Sequence, residues 1–460
     1  MRRGRRQRVT SVLVLAVGSL SFLSKMAEAQ RQLTSNQTGS RYNARWSPDG
    51  REIVCLDGDR GNNLPMVIMD VDTLQERVIL PTGWRPFEWS PDGTKIVFID
   101  PSMRSHPFWT SPLTGGQFPV LMPQAPATGR SAPRWTGDSS AILYHRSGIS
   151  VLQMCRANLS DGLEVLLTDP NTDSRDGQAN PAGDILGFWF WSSGQAIGKA
   201  RLSGGGPITT LVPPDGRRRY FPLDWSPDGT VLAYGADAPP GGSAGIFTIS
   251  REGGNETFIG PAGEPQWSPD GEWLGVFGPS AVVSVLDVRT GQVTPVGGVP
   301  VFSDLPALHV SPDGTEILYL STDARNIDQI WTAPSGRSPV PAIVGTRRVG
   351  SDLGVALRAP GDPGRAYVMA AAFSKEPALQ VQGRSIPLAP DPLFVASLTR
   401  PDLFIGFTGI LDTFARGSAT VRIPASGGVA GLRFYLAFVT VDGAGTLRTV
   451  SGARPVTVLP

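Results

Sequence analysis

Five aspartates share one short context. Asp49, Asp92, Asp228, Asp270 and Asp313 each follow Ser-Pro and precede Gly. Glycoside-cleaving enzymes use carboxylates in pairs, set about 5–9 Å apart, to protonate a leaving group and assist a nucleophile. The recurrence argues against that use, because each Asp holds the same place in a turn, where its carboxylate satisfies backbone N–H groups. Gly241-Gly242-Ser243-Ala244-Gly245 matches the G-x-S-x-G pattern of a hydrolase nucleophile. That pattern works on a strand-to-helix elbow with a positioned His. Here it lies in a Gly/Pro-rich loop before a strand, with only His309 downstream. Asp57, Asp59 and Asn62 cluster hard oxygen donors as a calcium loop does, but Ile68 stands where the bidentate Glu belongs. A hairpin loop accounts for them more simply. Three His (His106, His145, His309) and two Cys in 460 residues leave little for zinc. No catalytic, metal-binding or cofactor-binding residue is expected.

The elements that carry the aspartates are repeats. Trp46-Ser47-Pro48-Asp49-Gly50 returns as Trp89-Ser90-Pro91-Asp92-Gly93, Trp225-Ser226-Pro227-Asp228-Gly229 and Trp267-Ser268-Pro269-Asp270-Gly271. Val310-Ser311-Pro312-Asp313-Gly314 has lost only the Trp, and two eroded copies are Trp135-Thr136-Gly137-Asp138-Ser139 and Ala179-Asn180-Pro181-Ala182-Gly183. Their first positions are spaced by 43, 46, 44, 46, 42 and 43 residues. Seven units at a period of roughly 40–45 residues predict a propeller array. Ser-Pro-Asp-Gly suits a type I turn, with Pro presetting φ and Gly accepting a positive φ. The Trp supplies an apolar plate between neighbouring sheets. The repeat residues are therefore read as structural.

Each turn is followed by a short apolar run such as Glu52-Ile53-Val54-Cys55-Leu56 or Glu316-Ile317-Leu318-Tyr319-Leu320, then a polar loop and a second run. These read as strands buried on both faces, four to a unit. The expected fold is all-β: a seven-bladed β-propeller, with six blades as the alternative, over residues 30–346. Arg31 to Thr34 are placed as its closing strand. Residues 347–363 read as a linker ending in Pro360-Gly361-Asp362-Pro363. Residues 364–460 lose the period and carry short strand-like runs, including Leu393 to Leu398, which predict a small β-sandwich.

Residues 1–29 predict an export signal, with Arg2, Arg3, Arg5, Arg6 and Arg8 before an apolar stretch and Ala27-Glu28-Ala29 at the cleavage site. No later segment reaches 18 uninterrupted apolar residues, so no membrane span is expected in the mature chain. Cys55 and Cys155 fall in non-adjacent units and read as separate buried thiols. Net charge is +1, and no basic stripe interleaved with aromatics points to nucleic acid. Arg217-Arg218-Arg219 reads as a solvated loop. Trp84, Trp109, Phe188-Trp189-Phe190-Trp191 and Trp273 could stack on sugar rings, but core packing is the simpler use of the 188–191 run.

Trp-Ser-Pro-Asp-Gly, a short apolar strand, a loop and a strand ending in Asp-x-x-Thr or Asp-x-x-Gly resembles the WD40-like repeat of TolB-type propellers. The resemblance covers roughly residues 41–346. It implies an exported, periplasmic propeller acting through protein contacts. This chain departs from that pattern in having seven units and in carrying its extra domain after the propeller. The function expected is non-catalytic binding of a protein or other envelope component by a periplasmic or secreted chain. An enzyme acting on polysaccharide or peptide in the channel, or glycan binding without turnover, are the alternatives.

Overall fold

A computed structural model describes residues 30–35, 39–58, 64–83, 86–99, 108–113, 130–147, 151–298 and 308–460. The export signal, Asp59, Asn62, Trp84 and His106 lie outside the described residues, as does the Trp109 side chain. Among the described residues the fold is nearly all β, with one α-helix. Seven antiparallel sheets follow one another along residues 31–334: sheet 1 (40–83), sheet 2 (87–112), sheet 3 (130–166), sheet 4 (174–212), sheet 5 (219–260), sheet 6 (263–295) and sheet 7 (308–334). Six have four strands, and sheet 2 has three among the described residues. Each meander starts with the strand that ends in a repeat motif. The next two strands are the apolar runs, such as Glu52–Gly58 and Leu64–Asp70, with Ile53, Val54, Met66 and Ile68 fully buried.

The array closes on itself. Ser40–Trp46 of sheet 1 packs against Glu316–Thr322 and Asp328–Pro334 of sheet 7. The fourth strand of sheet 7 is Arg31–Gln32, with Arg31 opposite Thr332 and Gln32 opposite Trp331. Leu33 N–H donating to Ile330 O (2.8 Å) and the Thr34 hydroxyl bonding Gln329 (2.7 Å) extend this clasp. Joining the start of the ring to its end leaves fewer open sheet edges. The arrangement is consistent with a β-propeller.

The repeat motif does two things at once. Within a turn, the Ser or Thr hydroxyl bonds the Asp carboxylate at 2.5–2.7 Å in the six copies that keep both residues. Between turns, Gly50, Gly93, Gly229, Gly271 and Gly314 each abut the Pro of the preceding copy. A methyl on Gly93 would lie 3.8 Å from Pro48, on Gly271 3.3 Å from Pro227, and on Gly50 3.6 Å from Pro312. The last contact joins the first copy to the seventh and closes a ring of turns. Gly50 holds φ +67°, with room for a methyl. Gly50→Ala is therefore expected to cost about 1 kcal/mol, from backbone strain alone. Gly314→Ala, whose methyl would press Pro269 at 3.1 Å, is expected to cost more. Urea unfolding of both variants checks the order.

Residues beyond 334 form a second unit with its own core. One sheet orders Ala342–Val344, Asp352–Arg358, Arg416–Arg422 and Phe404–Ile405; the other orders Thr408–Ile410, Ala366–Ala372, Arg433–Val441 and Leu447–Val450, with Arg454–Thr457 also paired to Arg433–Val441. Leu353, Val355, Met369, Phe434, Leu436 and Phe438 from the two sheets share one cluster. Three expectations are corrected here. Residues 347–363 are not a linker, because Asp352–Arg358 pairs along its whole length with Arg416–Arg422. Ala342–Val344 belongs to the same sheet, so the second unit begins before residue 346. Leu393 to Leu398 is not a strand but lies in the helix Pro392–Thr399. Asp391 caps that helix, accepting from the N–H groups of Leu393 and Phe394, and Pro392 stands in its first turn. Neither Cys55 nor Cys155 is in a disulfide, both are buried, and burial pushes the Cys55 thiol up to about 11.

Candidate functional site

The residue immediately before each motif points to the ring axis. Arg45, Glu88, Arg134, Gln178, Asp224, Gln266 and His309, one from each sheet, line a central cavity of about 270 Å³. Alternation along the inner strand explains this: the motif's first residue packs between sheets, so its neighbour faces the channel. A recurring irregularity sharpens the aim. The pairing register shifts in the inner strands of sheets 1, 3, 4, 5 and 6 just before this position. In four of them the residue three places before the Trp or its counterpart is left-handed: Asn43 (φ +53°), Ala132 (+51°), Asp176 (+49°) and Glu264 (+49°). Bulges of this kind bend a strand and redirect a side chain.

The channel ring also ties the sheets together. Glu88 accepts from the Trp135 N–H (2.7 Å), Asp224 from the Trp267 N–H (2.6 Å) and Gln266 from the Val310 N–H (2.7 Å). In return, the indole N–H groups of Trp135, Trp225 and Trp267 donate to the carbonyls of Glu88, Gln178 and Asp224 in the preceding sheet. Gln178 adds a bond to Asp224 at 3.0 Å, and Arg134 stands 3.8 Å from Glu88. Among the described residues, no three His, Cys, Asp or Glu groups converge to hold a metal ion.

Burial raises both channel acids, Glu88 above the usual carboxylate range and Asp224 to about 7. A carboxyl group that binds its proton more tightly when folded stabilises the fold below the ordinary aspartate pKa. That contribution fades as pH rises through the folded value. Asp224→Asn removes the titration and keeps the shape. The Gln178 carbonyl oxygen, now without a hydrogen-bond partner, can accept from the new amide. The variant is expected to gain about 2 kcal/mol on the wild type between pH 4 and pH 8. The full gap would give ~4 kcal/mol, halved because Asp224 still meets channel water. Urea unfolding at the two pH values measures this.

The second unit sits on the ring of turns and touches all seven copies. Arg416 pairs with Asp72 (2.6 Å) and donates to Gly50 O (3.2 Å) at sheet 1, and Gly345 N–H donates to Pro91 O (3.0 Å) at sheet 2. Arg348 meets Asp138 (2.7 Å) at sheet 3, and Leu459 covers Gly183 at sheet 4. Arg433 meets Asp228 (2.7 Å) at sheet 5, Gly452 lies against Asp270 at sheet 6, and Val340 N–H donates to Asp313 O (2.8 Å) at sheet 7. A body in contact with every turn of a ring lies across its axis, so this end of the channel is covered. The motif aspartates thus serve local turns and the docking face together. Burial alone would raise Asp92, Asp138 and Asp228, but hydroxyl and backbone N–H bonds outweigh it and hold them below the usual carboxylate range.

The remaining sequence candidates fall outside the channel. Phe188, Trp189 and Phe190 are buried, and Trp273 is 1% exposed; Trp191 alone of that set is open to solvent, with Arg175 stacked 5.4 Å over its ring. The arginine run is not a solvated loop. Arg217 is buried against Phe247 and paired with Asp215 and Glu256, Arg219 is buried beside Gln195 and Asp215, and only Arg218 is exposed. Gly241 to Gly245 connects two strands of sheet 5, with no helix after the Ser. Asp57 lies 3.5 Å from the buried Arg41.

No protein-family model matches this chain, and no curated protein matches it. Solved structures do. An oligogalacturonate lyase from Vibrio parahaemolyticus superimposes with TM-score 0.55 at 12% identity, over 66% of this chain and 93% of that one. A puromycin hydrolase gives 0.52 at 16% identity, over 71% of this chain and 60% of that one. TolB from Acinetobacter baumannii gives 0.40 at 16% identity, over 65% of this chain and 79% of that one. At these identities the likeness is one of fold. Among the described residues, no helix is long and apolar enough to cross a membrane.

Proposed function

We propose that the chain is an exported seven-bladed β-propeller, closed at its repeat-turn end by a C-terminal β-sandwich. It acts without turnover, binding a protein or another envelope component at the opposite end. The observation that carries this reading is the use already made of the channel acids. Glu88 and Asp224 each hold the backbone of the next sheet through a short bond to its N–H. Proton transfer by either would loosen a joint between blades. With the turn end occupied, the loops of the other end, including 191–195, 213–218, 237–244 and 323–327, are left to make contacts. Loops on a rigid scaffold are the usual place for recognition.

A reaction on polysaccharide or peptide inside the channel is favoured by one feature, a carboxyl held near neutrality at Asp224, as a general acid or base requires. Cross-linking of the mature chain in envelope extract, mapped by mass spectrometry, separates the readings. The binding reading expects cross-links on the open-end loops. It fails if partners attach only to residues 340–460. It fails equally if the chain degrades oligogalacturonate or peptides and Asp224→Asn abolishes that turnover.

A further inference from the structure

Away from the channel, a cleft of about 910 Å³ opens at the repeat-turn end of sheet 4. Three consecutive sheets contribute to it. Arg156 comes from sheet 3, on the strand face that carries the buried Met154; Lys199 and Arg201 come from one face of the third strand of sheet 4; Arg251 comes from the turn after the third strand of sheet 5.

These four cations differ in what already holds them. Arg251 pairs with Asp184 at 2.8 Å, and the Lys199 ammonium donates to Arg251 O at 2.6 Å. Arg156 and Arg201 have no ion-pair partner among the described residues. The Arg156 Nε is buried without a hydrogen bond. Among the described residues Asp184 is the only acid in the lining, and Arg251 and Asn180 already occupy its carboxylate; Glu252, outside the lining, pairs with Lys199 (3.3 Å) and Arg251 (3.2 Å). A buried charged donor without an acceptor is costly, and a guanidinium is built to grip two oxygens of one oxyanion. The volume lies within the usual range for small-molecule sites, and Ile185 on the Arg201 side and Ala200 and Leu202 on the Arg156 side give the cleft an apolar floor.

We propose that this cleft binds a small molecule carrying a multiply charged oxyanion, with Arg156 and Arg201 as its grips and the apolar floor under the rest of the ligand. A phosphate ester and a polycarboxylate share that chemistry. Titration calorimetry on the mature chain, with glucose 6-phosphate, citrate and inorganic phosphate at constant ionic strength, tests the site and separates the two sources. Saturable one-to-one binding of at least one probe is expected. Arg156→Gln and Arg201→Gln are each expected to weaken it by ~10-fold or more. Arg325→Gln, whose guanidinium is paired with Asp323 at the other end of the ring, should leave it unchanged. Arg201 is exposed, so its variant keeps the test valid if Arg156→Gln folds poorly. The proposal is overturned if none of the three probes saturates, or if binding survives both substitutions intact.

Discussion

Trp189→Ala is expected to lower the unfolding free energy by about 3–5 kcal/mol, and Trp191→Ala by less than ~0.5 kcal/mol. The two residues lie two positions apart on the same face of one strand, Trp189 inside it and Trp191 at its solvent-exposed end. Trp189 is fully buried, meets Tyr234 edge-on at 6.2 Å and shares a cluster with Leu223, Trp225 and Leu232 of the next sheet. Removing it empties the joint between sheets 4 and 5, and only part of that space can collapse. Trp191 is 41% exposed and its ring already carries Arg175. Of the 188–191 run, only its loss could change glycan binding without changing stability. Denaturant unfolding of both variants, beside a glycan array with Trp191→Ala, gives the two readouts. An equal loss of stability in both would contradict the packing described here.

Much of the fold was readable because the turns repeat their chemistry. Ser-Pro-Asp-Gly fixes where each inner strand ends, and the apolar run after it can only be a buried strand. The channel was harder to read. Its seven residues are two Arg, two Gln, a Glu, an Asp and a His, so no single letter marks the position. They do share a place, a polar residue directly before the motif's first residue, inside a strand that alternates. That positional rule, rather than any motif, was the available signal. The second unit was misread where local cues conflict. Gly350, Gly354 and Pro360 flank or interrupt Asp352–Arg358, yet its alternate residues Leu353, Val355 and Leu357 are buried. Asp391-Pro392 is both a turn signal and a helix start. The short run after it looks like a strand by length, and only the cap geometry decides. The docking of the second unit could not be inferred at all, because each arginine that meets a turn comes from a different part of the tail.

That docking face yields the other large effect. Arg416→Ala is expected to destabilise the chain by about 3–5 kcal/mol and to separate one unfolding transition into two. The Arg416 side chain is 4% exposed and Asp72 14%, so their 2.6 Å pair lies almost wholly out of water. Truncating the guanidinium leaves the largely buried Asp72 carboxylate without its ion-pair partner and also releases Gly50 O. Arg422→Ala is the matched control, since its partner Asp352 belongs to the same unit and both side chains are more than half exposed. An exposed pair of that kind contributes at most ~1 kcal/mol. If the second unit merely trailed from the ring, the two variants would melt alike. If it closes the ring's turn end, only Arg416→Ala will uncouple them, and differential scanning calorimetry will resolve the separated peaks.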